Sequence, residues 1–200
     1  LKDKAGPNSA EYMDRLATPF TVMLNGERKQ VYPYTDPRKI TFPDGHTAKA
    51  YRFDTPDQFT LPTTTGAKTV AARIAFDDAM AMMLLVVLTR SGLWKLISGK
   101  WFTPLRRSLL YNPGSGASHQ IVVDAVGQDE SGNAKTIQAT IVDPQGQTHL
   151  TAVGALIQLE RLLGLDGAPP PVPSIVYPDT APQIDSALQT LCHFGVTVTM

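Results

Sequence analysis

Two predicted hairpin turns constrain the fold of this chain most strongly. Asn25-Gly26 separates two extended runs between residues 20 and 31, and both turn residues accept the positive φ angles that a two-residue hairpin loop requires. Pro43-Asp44-Gly45 predicts a second turn, between the runs 39–42 and 48–53. Strands joined by such short turns must be antiparallel, so the chain begins with antiparallel pairs.

Helical patterns are grouped apart from these hairpins. Asp77-Asp78 begins a helix that extends to Thr89, and because this helix is apolar all round we expect it to be buried on several sides. Three further helices are predicted at 103–110, 148–163 and 181–194. The remaining predicted strands are 68–76, the hairpin pair 119–126 and 135–142, and 196–199.

This grouping favours an α+β fold over an alternating βαβ arrangement. We expect a mixed, largely antiparallel sheet with helices packed on one face. The helices 77–89, 149–163 and 181–194 are the ones predicted to cover it.

Composition excludes several classes of protein. The 200 residues carry 18 Lys and Arg against 18 Asp and Glu and are 42% hydrophobic, so a basic nucleic-acid binder and a disordered chain are both excluded. Cys192 is the only cysteine, so no internal disulfide can form. The longest apolar run, 79–88, is shorter than the roughly 20 residues that span a bilayer. We expect a cytoplasmic protein with no membrane or nucleic-acid partner, whose low charge suits a homodimer.

No motif assigns a catalytic residue or a metal site. Gly114-Ser115-Gly116 contains two of the glycines of a dinucleotide-binding fingerprint, but it follows a predicted helix and precedes a strand, which is the reverse of the required order. The four histidines show no spacing typical of metal ligands. Neither a cofactor nor a metal is therefore expected in this chain alone.

The polar segment 54–66 is the first candidate for a binding site. It is rich in hydroxyl groups and contains two prolines, so as a loop it would offer hydrogen-bonding groups with little entropy to lose. The alternative is an ordinary connection. The candidate substrate-binding residues in this segment are Asp57, Gln58, Thr60 and Thr63.

Two arginines are the remaining candidates. Arg73 lies in the middle of a predicted strand among apolar neighbours, where it either binds an anion or extends its charged end to solvent. Arg106, followed by Arg107, comes just after a helix start, and it either binds a carboxylate or phosphate or lies on a solvated helix face.

The order of several short motifs resembles a known family. Phe42-Pro43-Asp44-Gly45, Ala50-Tyr51-Arg52-Phe53, the run from Pro56 to Pro62 and the run from Val70 to Phe76 are followed by Thr151-Ala152, Tyr177-Pro178 and Gly195-Val196-Thr197-Val198. Over about residues 18–200 this order resembles the second domain of saccharopine dehydrogenase-like NAD(P)-dependent oxidoreductases. The chain departs from the family at Asp57, where Glu is usual.

The resemblance implies an architecture and a function. Residues 1–17 would be a connector from a missing N-terminal Rossmann domain, which would bind NAD or NADP, and residues 18–200 would form a substrate-binding and dimerisation domain. That domain would orient an amino or keto acid, or another carbonyl or imine, with the segment 54–66 as one wall of the cleft. The alternative is a non-catalytic module for homodimerisation or small-ligand binding that retains the fold.

Overall fold

The structure, a computed structural model, describes residues 15–76, 78–110, 118–175, 177–180 and 183–200. Contacts divide these residues into two compact units. Unit 1 contains the described residues up to 41 together with 46–110, and unit 2 contains 42–45 and the described residues from 118 onward.

Unit 1 contains two small antiparallel sheets. The first is the hairpin of β1 (Phe20–Leu24) and β2 (Glu27–Val31). The second has the order β3-β4-β5 and consists of Arg38–Thr41, Thr47–Arg52 and Arg73–Ile74. The helices of unit 1 are α1 (Asp57–Thr65), α2 (Ala79–Arg90), α3 (Leu93–Leu96) and α4 (Thr103–Leu110), with a 3-10 turn at Lys100–Phe102.

Unit 2 is built on a third antiparallel sheet. The long hairpin of β6 (His119–Gln128) and β7 (Ala134–Asp143) is extended by β8 (Thr197–Thr199), which pairs with β7. Two helices complete the unit, α5 (Gln147–Leu163) and α6 (Ile184–His193).

The α+β class is thus confirmed, and every strand pair in the described part of the chain is antiparallel. The strands are divided among three small sheets. The Asn25-Gly26 turn has the expected geometry, with φ of 54° and 82° at its two residues. The predicted helices 103–110 and 148–163 are also present, within one residue at their ends.

The core of unit 1 forms around two large aromatic side chains. Tyr34 and Trp94 are almost completely buried and pack with Leu16, Met82 and Leu85. Because Leu16 belongs to this cluster, the described end of the predicted connector packs into unit 1. Residues 1–14 of that connector lie outside the described residues.

The sequence suggested that the segment 54–66 is a loop, and this prediction is wrong. The segment contains α1. The prediction took the two prolines as features of a rigid loop, yet the helix contains Pro62 and continues past it to Thr65. The hydroxyls of Thr64 and Thr65 donate to the carbonyls of Thr60 and Leu61, and Gly66 ends the helix with a φ of 71°. The segment therefore forms a helix that its hydroxyl-rich composition does not predict.

The predicted strand 68–76 is also mostly irregular, and only Arg73–Ile74 forms β5. The backbone N–H of Val70 donates to Met23 O, whereas that of Ala72 donates to the side chain of Gln58. Since these donors are used by partners on different elements, a continuous ladder cannot form.

Helix α2 is less buried than its apolar sequence predicts. Asp78 caps it as expected, accepting from the backbone N–H groups of Met80 and Ala81, whereas Asp77 lies outside the described residues. Only Met82 and Leu85 of this helix are buried. A stripe with helical spacing remains more than 45% exposed, formed by Met80, Met83, Leu84 and Val87.

Candidate functional site

Three charged side chains in unit 1 form the candidate site. Asp36 accepts from Arg52 Nη2 at 2.8 Å and from Arg73 Nη2, so one carboxylate oxygen receives two guanidinium groups. The side chains of both arginines are about nine-tenths buried, with 8% and 10% exposed, whereas that of Asp36 is 44% exposed. We refer to Asp36, Arg52 and Arg73 as the arginine pair site.

The backbone before β3 positions the carboxylate. Tyr34 and Asp36 have φ of 57° and 48°, a left-handed conformation that few residues other than glycine adopt. Tyr34 N donates to Arg52 O, and Arg52 N donates to Thr35 O, so this segment lies along β4. Tyr34 is held in place by its burial, which also raises the pKa of its hydroxyl.

The site carries an excess of positive charge. Burial raises the pKa of Asp36, but the hydrogen bond from Arg73 and the charges of Arg73, Arg52 and Arg38 outweigh this effect and lower it. Burial also lowers the pKa of Arg73 and outweighs the opposite effect of its hydrogen bond to Asp36. Two buried cations therefore share a single anion.

One donor of the site is unused. Arg52 Nη1 is buried and has no hydrogen-bond partner among the described residues. A buried guanidinium donor without an acceptor is costly, and a second carboxylate or a phosphate oxygen would satisfy it while balancing the charge.

The structure brings Gln58 into contact with Ala72, the residue that precedes Arg73. Gln58 is buried, donates to Phe53 O at 2.7 Å and accepts from Ala72 N at 3.0 Å, so it joins α1 to the residue before Arg73. Its two polar ends are occupied, which makes it a positioning residue. Of the other candidates in α1, Asp57 and Thr63 are exposed and Thr60 is half-buried.

Arg106 lies apart from the arginine pair site and is buried, so it does not lie on the solvated helix face that the sequence left open. Its guanidinium donates to Ile97 O, to Gly99 O at 2.9 Å and to Thr103 Oγ1 at 3.2 Å. These hydrogen bonds connect residues 97–99, which precede α4, to α4 itself.

Sequence reasoning did not identify Asp36 and Arg52 as site residues. Arg52 has the alternating position of a strand residue, and Asp36 lies in an irregular segment. The one signal available was the number of arginines near the second hairpin, and it does not reveal which of them is buried.

A second polar cluster, in unit 2, was also missed. Asp143 is completely buried at the end of β7, accepts from Gln145 N at 2.8 Å and contacts His149 Nδ1 at 2.7 Å. His119 is paired with Asp143 in the β6–β7 register. Burial lowers the pKa of His119, and the charge of Asp143 opposes that effect.

The residues around Asp143 do not fit a dinucleotide. The connection from β7 to α5 is the described strand-to-helix connection that carries a glycine, Gly146, but it lacks the further glycines of the fingerprint. The carboxylate of Asp143 lies at its start, where it would repel a pyrophosphate. Gly114-Ser115-Gly116 lies outside the described residues.

Neither protein families nor curated proteins assign this chain to a family. No protein-family model matches it, and no curated protein does either. In the part of the chain that the structure describes, no cluster of three potential ligands for a metal ion is present. None of the described helices has both the length and the apolar character needed to cross a membrane.

Proposed function

We propose that this chain is the substrate-binding and dimerisation domain of a saccharopine dehydrogenase-like oxidoreductase. In this proposal NAD or NADP binds to a Rossmann domain elsewhere in the protein and supplies the hydride. The chain orients an amino or keto acid, or another carbonyl or imine, for that transfer. The ordered motifs over residues 18–200 and the α+β fold both support the proposal.

The arginine pair site is the observation that carries it. A carboxylate substrate needs a fixed cation with free donors, and Arg52 Nη1 together with the excess charge of Arg73 provides one. Asp36 keeps both guanidinium groups in place before the substrate arrives. The role of this site is to bind and orient the substrate, and it does not exchange a proton with it.

Titration of the protein with L-glutamate and 2-oxoglutarate tests this role. We expect calorimetry to show binding of one or both acids, and Arg73→Gln to weaken it about tenfold, because this change removes one of the two positive charges of the site. Arg90→Gln, which removes an exposed arginine from the end of α2, is the matched control and should bind as the wild type does.

Two results would contradict the proposal. The first is an absence of binding by either acid under conditions in which the protein is folded. The second is equal affinity in Arg73→Gln and the wild type. A further assay measures oxidation of NADPH by the complete protein with carbonyl and imine substrates, which the proposal expects to occur.

The exposed stripe of α2 supports dimerisation, which the proposal shares with its alternative, a non-catalytic homodimerisation module. Met80, Met83, Leu84 and Val87 have the spacing of one helix face and would be covered by a second copy. Val87→Lys should then convert a dimer into a monomer in light scattering. A Val87→Lys protein with the same mass in solution as the wild type would exclude this face as the contact.

A further inference from the structure

The turn between α3 and α4 exposes an unusual set of side chains. Trp101 is 95% exposed, the highest fraction among the large apolar side chains described, and Leu96 is 72% exposed. Leu93, Phe102 and Leu105 are each more than 40% exposed. Lys95 and Lys100 are exposed between them. We refer to these seven residues as the α3–α4 patch.

The patch is a folded feature and not a loose segment. Trp94, next to Lys95, is completely buried in the core of unit 1. Arg106 binds the carbonyls of Ile97 and Gly99 from inside. With these two side chains directed inward, the apolar and basic side chains between them remain outside.

The charge of this region is one-sided. No Asp or Glu occurs between Asp78 and Asp124, although the whole chain has equal numbers of acidic and basic residues. Within the same interval Arg90, Lys95 and Lys100 are exposed. A partner for the α3–α4 patch must therefore be apolar where it meets Trp101 and negatively charged around it.

We propose that the α3–α4 patch binds the surface of an anionic lipid bilayer. Tryptophan, phenylalanine and leucine enter the boundary between headgroups and acyl chains, and lysine binds the anionic headgroups, which is the composition of interfacial segments. Such binding needs no spanning helix, and it departs from the expectation of no membrane partner that the sequence suggested. A second copy of the chain fits less well, because its own patch would bring lysines of the same charge against Lys95 and Lys100.

Tryptophan fluorescence and vesicle sedimentation test this proposal directly. The chain has two tryptophans, and only Trp101 is exposed. Vesicles of phosphatidylcholine with phosphatidylserine should sediment the protein and shift the Trp101 emission to shorter wavelength. Vesicles of phosphatidylcholine alone should bind it more weakly, and added salt should weaken binding to the anionic vesicles.

Variants with matched controls separate the patch from general charge. Lys95→Gln with Lys100→Gln should weaken vesicle binding about 25-fold, roughly fivefold for each lysine. Lys39→Gln with Lys49→Gln removes two exposed lysines from β3 and β4 and should have little effect. Trp101→Ser should weaken binding about tenfold, whereas Ile175→Ser, at a residue that is 88% exposed, should not.

Three results would overturn the proposal. One is an absence of binding to anionic vesicles by the folded protein. Another is an equal loss of binding in the control double variant. The third is a shift of Trp101 emission that rises with protein concentration without vesicles, because a second copy would then cover the patch.

Discussion

Asp36 is the residue on which the two buried arginines depend. Removal of its charge leaves Arg52 and Arg73 close together and uncompensated, although Asp36 itself is 44% exposed. We expect Asp36→Asn, which keeps a residue tolerant of positive φ, to lower the free energy of unfolding by about 2 kcal/mol in urea titrations. Glu27→Gln breaks an exposed ion pair with Lys29 and should cost at most about 0.5 kcal/mol. Equal effects of the two changes would contradict this assignment.

His119 should make stability depend on pH. Burial lowers its pKa in the folded protein, so the unfolded chain binds the proton more readily. The contribution of His119 is fully present above its ordinary pKa of about 6.5 and is lost as pH falls below that value toward the lowered one. Unfolding titrations on both sides of this pH should show a smaller loss in His119→Gln than in the wild type. Equal losses would show that His119 does not titrate in this way.

Among individual residues, the sequence indicated Arg73 as a candidate binding residue but did not indicate Asp36 or Arg52. A charged residue among apolar neighbours in a strand stands out in a pattern, so Arg73 could be singled out. Asp36 reaches it because Tyr34 and Asp36 adopt a left-handed backbone without being glycines, and local patterns do not indicate this. The positions of Asp36, Arg52 and Arg73 in one site could be known only from the fold.

Among the elements, α5 ends at a glycine that no other residue can replace without strain. Gly164 has a φ of 69°, and a Cβ placed there would lie 2.7 Å from Pro170 Cδ. We expect Gly164→Ala to lower the free energy of unfolding by about 3 kcal/mol, since it adds overpacking to backbone strain. Gly132→Ala, at a φ of 82° with no atom nearby, has the strain alone and should cost about 1 kcal/mol. Equal costs in urea titrations would show that Pro170 moves aside.

Hairpins could be predicted from the sequence, whereas α1 could not. The Asn25-Gly26 turn is determined by its own two residues, so a local pattern is sufficient. Helix α1 is joined to another segment by Gln58, which accepts from Ala72 N. A composition typical of loops therefore misleads where a contact between separate segments holds the helix in place.

For the molecule as a whole, the sequence predicted the class of fold but not its division into two units. The grouping of strands and helices indicated α+β, and the structure confirms it. The division depends on which elements share a core, and the cluster of Tyr34, Trp94 and Leu85 collects residues far apart in the chain. Periodicity shows that a face is apolar and does not show what covers it.

This division leads to a prediction for hydrogen exchange. Leu85 is 3% exposed in the core of unit 1, and Leu85→Ala should cost about 3 kcal/mol. If each unit unfolds as its own cooperative body, amides of β4 and α2 should lose protection while those of β6 and β7 keep theirs. Equal loss throughout the described residues would show a single cooperative unit.

The inward position of Arg106 has a consequence for how this protein can diverge. Because one buried guanidinium holds Ile97, Gly99 and Thr103 together, the shape of that turn does not rest on the side chains that face outward. Leu96 and Trp101 can therefore be exchanged during evolution with little penalty in foldability, so that relatives could acquire different surface affinities. Arg106 cannot be exchanged in this way, since no other side chain has the planar guanidinium group with its several N–H donors.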